Sequence, residues 1–115
     1  MIIITRVFRK EMRGFSGDIL EEIFLLLKKY HRGLSSNLFQ IQEFGKYIIL
    51  KGYLQGKAVR MIVAKRENSI YIPIALYKKE SKIGYNIRFN FDVHGHMDRM
   101  EKCIQNDEFE TFDIK

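Results

Sequence analysis

The sequence predicts a small α+β protein in which one amphipathic helix packs on a mostly antiparallel, twisted sheet of about four strands. Two patterns carry that reading. Ile19, Leu20, Ile23, Phe24, Leu27 and Tyr30 recur at helical spacing, whereas Tyr47–Leu54, Ala58–Lys65 and Ser69–Tyr77 are strand-like runs separated by short breaks. The third observation is charge. Residues 1–88 hold 17 Lys/Arg and 7 Asp/Glu, a net of +10, and residues 89–115 hold 3 and 7, a net of −4. A basic body, 1–88, is therefore followed by an acidic C-terminal extension, 89–115, and 115 residues suit a single domain holding both.

Taken in order, the apolar β-branched start of Met1–Phe8 reads as a strand and Arg9–Arg13 as one helical turn. Ser16-Gly17-Asp18 offers side-chain acceptors for unpaired N–H groups and opens a helix over about Asp18–His31. Glu21 and Glu22 near its start and Lys28, Lys29 and Arg32 near its end complement the helix dipole, and Gly33 suits the C-terminal cap. Gln55-Gly56 and Glu67-Asn68 then read as two-residue hairpin loops. Such loops set Lys51 opposite Arg60, Tyr53 opposite Ala58 and Arg60 opposite Ala75. Pro73 has no N–H for a ladder, so the last strand is an edge or is bulged. The first strand is expected beside Tyr47–Leu54. Met97–Asn106 reads as a short helix that packs Cys103, and the acidic segment Asp107–Asp113 either folds back over the basic face or adds a strand.

Alternation sorts the strand residues into two faces. Ile48, Leu50, Val59, Met61, Val63, Ile70, Ile72, Ile74 and Leu76 form an aliphatic seat for the helix. Tyr47, Lys51, Tyr53, Arg60 and Tyr77, with Lys79 in phase beyond the strand, form the other face, expected to be open. Like charges across a strand pair repel, and phosphate relieves that repulsion. Tyrosine rings offer flat surfaces for unstacked bases, with Lys78 and Lys82 nearby to meet the backbone. The competing reading is a solvated face whose long cationic side chains cover the rings.

Other chemistries find little support. No apolar run approaches the roughly 20 residues of a membrane span, no signal-peptide pattern is present, and a lone Cys103 forms no intramolecular disulfide. The expectation is a cytoplasmic protein with no membrane partner. Asp92, His94 and His96 have metal-ligand character, but Gly95 between them and the want of a fourth ligand favour a loop. No metal or cofactor is expected.

The order of elements resembles that of the RelE/ParE toxins. The segment "VFRKEMRGFSGDILEEI" is similar to that family's opening, and "GKAVRMIVAKRENSIYIPIALYKKESKIGYNI" to its closing half; together the likeness spans about residues 2–88. It implies the toxin of a bacterial toxin–antitoxin pair, a metal-independent endoribonuclease acting on mRNA within the ribosome, and held inactive by an antitoxin protein in a hetero-oligomer. A homodimer is also open. In RNA-cleaving members a lysine, an arginine, a later basic residue and a tyrosine six positions beyond it carry the reaction, which implies Lys51, Arg60, Lys79 and Tyr85 here. Arg60 suits the charged phosphorane and Lys79 the same charge or the leaving group; Lys51 or Tyr85 is the implied base. Lysine in place of arginine at Lys79, Tyr53 in place of a second lysine, and the extension 89–115 depart from the family pattern. His94 is an outside candidate for the acid. The alternatives are a ParE-like, non-catalytic inhibitor of DNA gyrase and a non-catalytic RNA-binding protein.

Overall fold

A computed structural model of the chain describes residues 1–34, 37–67, 69–79 and 92–114. The elements run β1 (Ile2–Thr5), α1 (Arg6–Met12), α2 (Ile19–His31), β2 (Leu38–Phe44), β3 (Tyr47–Leu54), β4 (Val59–Arg66), β5 (Ile70–Lys78), α3 (Val93–Gln105) and β6 (Phe109–Phe112). The six strands form one sheet in the order β2-β3-β4-β5-β1-β6. β1 is parallel to β5 and every other pairing is antiparallel. The α+β class, the N-terminal strand with its helices and the C-terminal extension are as expected. The sheet is larger than the expected four strands, and it is mixed. β1 lies between β5 and β6, away from Tyr47–Leu54.

The first strand is short because Thr5 turns it into a helix. Its hydroxyl accepts from the Phe8 N–H at 3.2 Å, an N-cap that starts α1 three residues earlier than expected. α1 buries Phe8 and Met12 and carries its cations outward. α2 ends in a Schellman motif: Leu34 N–H donates to Lys29 O at 2.8 Å and Gly33 N–H to Tyr30 O at 2.9 Å, with Gly33 at φ 73°. The His31 ring then meets the Tyr71 hydroxyl at 3.0 Å, which ties that helix end to β5.

Both faces of the sheet are covered. On one, α1 and α2 set Phe8, Ile19, Ile23 and Leu27 on Ile2, Ile4, Leu50, Met61, Val63 and Tyr71. On the other, α3 sets Met97 and Met100 on Ile3, Tyr47, Ile49, Ile62, Ile72, Ile74 and Ala75. Two-sided burial is why β4 and β5 read as near-continuous aliphatic runs. It corrects two expectations. The second face is not open along its length, and Ile70, Ile72 and Ile74 pack beneath α3 instead of α2. The cause is a bulge where the β4–β5 register shifts between Ile62 and Val63, opposite Pro73. Ile74 and Ala75 both join the α3 side, and the phase of the strand inverts there. Pro73 is therefore accommodated by a bulge in an internal strand, and β5 is not an edge.

Loop length changes the cross-strand partners. The β3–β4 connection has four residues, since Leu54 pairs with Val59, and Tyr53, not Lys51, stands opposite Arg60. Arg60 in turn faces Tyr77. A shift of two preserves which face each side chain occupies. No helix among the described residues is long and apolar enough to cross a membrane.

Candidate nucleic-acid interface

α3 leaves the loop-proximal end of its face uncovered, and cations gather there around one ring. The Arg60 guanidinium carbon lies 4.7 Å from the Tyr53 ring centroid, the Lys51 amine 5.5 Å and the Lys57 amine 5.9 Å. Phe39 on β2 packs on the same tyrosine, centroid to centroid 5.9 Å. Register explains the cluster: Tyr53 is directly across from Arg60, Lys51 is two residues along its strand, and Phe39 pairs with Lys51. Ring stacking orients the Arg60 fork, which presents planar donors matched to phosphate oxygens. Tyr53 and Phe39 add apolar faces of the kind on which bases stack.

The remaining candidates fall elsewhere. Tyr47 is only 4% exposed beneath α3, in contact with Arg66 and Glu101, and takes no part in the Tyr53 cluster. Burial, with Glu101 beside it, raises its phenol above the usual range. Lys79 is exposed just past β5, where its N–H donates to Ala58 O at 2.8 Å. It borders a cleft of about 390 Å³ with Phe15, Ser16, Gln55 and Val59, instead of joining Lys51 and Arg60 at Tyr53. Lys78 is exposed, its amine 6.0 Å from the Phe15 ring on the α2 side. Tyr85 and Lys82 lie outside the described residues.

Tyr77 links the cluster to a polar site under α3. Its hydroxyl is 2.8 Å from Nε2 of His96, and Nδ1 of the same ring is 3.1 Å from Ile74 O. A carbonyl only accepts, so Nδ1 carries the proton and Nε2 of the neutral ring accepts from the phenol. Burial and the nearby Arg99 lower the His96 pKa, against smaller opposing effects of the Ile74 carbonyl and Asp92. Burial, with Glu11 nearby, raises Tyr77 to about 12. Glu11 reaches this region from α1 and accepts the Leu76 N–H at 3.1 Å, filling the place where β1 has already turned away. The sequence presents His96 only as a possible metal ligand beside Asp92 and His94, because Asp92–His96 reads there as a loop. Asp92 instead caps α3, accepting from Gly95 N–H at 3.0 Å. That capping pattern, followed by Val93, Met97, Met100 and Ile104 at helical spacing, was the available signal. His94 points to Phe44, with ring centroids 4.8 Å apart. No group of three or more potential metal ligands occurs among the described residues.

No family model, curated protein or solved structure matches this chain.

Proposed function

We propose that this protein binds single-stranded RNA at the Tyr53–Arg60 cluster and cleaves it, as an mRNA-directed endoribonuclease toxin held in check by an antitoxin. The observation that carries the reading is the stacking of Arg60 on Tyr53 with Lys51 and Lys57 around the same ring. This combination offers phosphate recognition and a base platform within one side-chain length. Cleavage proceeds by attack of the RNA 2′-hydroxyl on the adjacent phosphorus, which breaks the P–O5′ bond and leaves a cyclic phosphate. The 2′-hydroxyl proton passes to a base, and the departing 5′ oxygen takes a proton from an acid. Arg60 stabilises the charged phosphorane. Lys51 is the base candidate within the cluster; both ring nitrogens of His96 are engaged, by the Ile74 carbonyl and the Tyr77 hydroxyl, so His96 holds Tyr77 in place instead.

The test is incubation of the purified chain with ribosomes and mRNA, and separately with gyrase and supercoiled plasmid. Cleavage with a 2′,3′-cyclic phosphate end is expected, and Arg60→Ala should slow it about 100-fold or more without unfolding the protein. Wild-type cleavage by Arg60→Ala removes the proposed role. Binding without cleavage leaves an RNA-binding protein, and inhibition of gyrase alone would replace this reading with a protein-directed one.

A further inference from the structure

We infer that a second surface, the groove between α1 and β6, binds the phosphodiester backbone of single-stranded nucleic acid irrespective of sequence, with Glu108 and Glu110 occupying it as internal substitutes for phosphate. Arg6, Arg9, Lys10 and Arg13 line one open cleft of about 480 Å³. Positions 6, 9, 10 and 13 follow one side of a helix, so cationic groups repeat along it at about 5 Å per turn. Two are already engaged. Arg6 Nη1 meets Glu108 Oε2 at 2.8 Å, and Arg9 approaches Glu110 Oε1 through Nη2 at 2.7 Å and Nε at 2.9 Å. Lys10 and Arg13 are exposed and have no carboxylate within 4.0 Å among the described residues.

The engaged pairs are displaceable. Their side chains are exposed by 66% and 35% at Arg6–Glu108 and by 40% and 59% at Arg9–Glu110. An exposed pair holds its partners by a factor of about five at most, whereas a polyanion gains from counterion release at every cation it meets. β6 itself stays attached, because it also pairs with β1 and accepts the Arg6 N–H at Glu108 O. The apolar lining is only Ile4, which is buried, and half-buried Phe109. The groove thus lacks the anchor pocket an acidic peptide uses, and cations repeated along one side of a helix suit a run of phosphates. β6 stands four strand spacings, about 19 Å across the sheet, from β3, which carries Lys51 and Tyr53.

The test uses a labelled 20-nucleotide single-stranded DNA. Without a 2′-hydroxyl it reports binding irrespective of cleavage, so failure of the ribonuclease reading leaves this inference standing. Lys10→Gln with Arg13→Gln should weaken binding about tenfold or more and flatten the plot of log affinity against log salt by about 1.4, from 0.7 per lost contact. Glu108→Gln with Glu110→Gln should tighten binding about three- to tenfold at low salt. Glu21→Gln with Glu43→Gln makes the same charge change at exposed sites on α2 and β2 and should tighten it distinctly less. Wild-type binding by the Lys10/Arg13 variant would overturn the inference. So would equal tightening by the two glutamine pairs, or competition by polyglutamate as strong as by polynucleotide. Thermal melting of each variant checks the fold; if the Glu108/Glu110 pair melts early, the Lys10/Arg13 arm decides alone.

Discussion

Tyr77→Phe removes one oxygen and keeps the ring, so it deletes one of the two hydrogen bonds by which His96 ties α3 to β5. The lost hydroxyl is the donor to His96 Nε2 at 2.8 Å. Nδ1 is committed to the Ile74 carbonyl, so the ring cannot flip to satisfy both nitrogens. A hydrogen bond of this kind contributes about 1 kcal/mol, within roughly 0.5–1.5. With a urea dependence of about 2 kcal/mol per molar, the unfolding midpoint should fall by about 0.5 M at pH 7.5. Urea titrations of wild type, Tyr77→Phe, His96→Phe and the double variant close a cycle, and the coupling should equal most of the Tyr77→Phe loss. The pH dependence is a second readout. The folded His96 pKa lies below the ordinary 6.5, so on acidification the unfolded chain takes the proton first. The stability due to this neutral ring is full above about pH 6.5 and is lost as pH falls toward and through the folded value. His96→Phe should therefore flatten the decline below about pH 6.5. Zero coupling, or an unchanged midpoint for Tyr77→Phe, refutes the assigned tautomer and the bond.

Other perturbations test separate features by the same titrations. Thr5→Ala removes the cap on Phe8 N–H and should cost about 1 kcal/mol. Gly52→Ala would set a Cβ 2.8 Å from Leu38 Cδ1 and 3.1 Å from Leu26 Cδ2, both on buried side chains, and should cost about 1–3 kcal/mol through overpacking. Burial raises the Glu11 carboxyl above its ordinary value of 4.5, against the lowering effects of the Leu76 N–H and Arg99. Its stabilising contribution is fully present below about pH 4.5 and is lost as pH rises through the folded value. Glu11→Gln, which keeps an acceptor without the charge, should be at least as stable as wild type at pH 7. Glu11→Ala orphans the Leu76 N–H and should cost about 1–3 kcal/mol.

Much of this architecture was legible in single elements. The helix expected over Asp18–His31 is observed at Ile19–His31, the strand Tyr47–Leu54 matches residue for residue, and the next two strands each differ by one residue at either end. Periodicity and caps are local signals, and these elements carry them strongly. β2 was passed over because its own irregularity between Gln40 and Gln42 breaks the alternation that marks a strand. The placement of β1 beside β5 rests on partners distant in sequence, which no local pattern encodes. The Pro73 bulge reassigns Ile70, Ile72 and Ile74 to the opposite layer, and that inversion in turn explains why α3 has an aliphatic floor to cover. Of the candidate site, Lys51, Tyr53 and Arg60 were legible from strand phase alone, because a register change of two leaves the face unchanged. Lys79 separates from them because phase does not fix direction beyond a strand's end, and His96 required recognising that Asp92 starts a helix.

The position of β1 also constrains how the chain is assembled during translation. Ile2–Thr5 emerges well before either neighbouring strand, and its apolar side chains must wait for most of the protein to be synthesised. β6 pairs with this early segment, Ile2 opposite Phe112, so the ladder joins strands far apart in the sequence. Slow codons upstream of β5 would prolong the exposure of that waiting strand, whereas slow codons after it would give the inner layers time to consolidate.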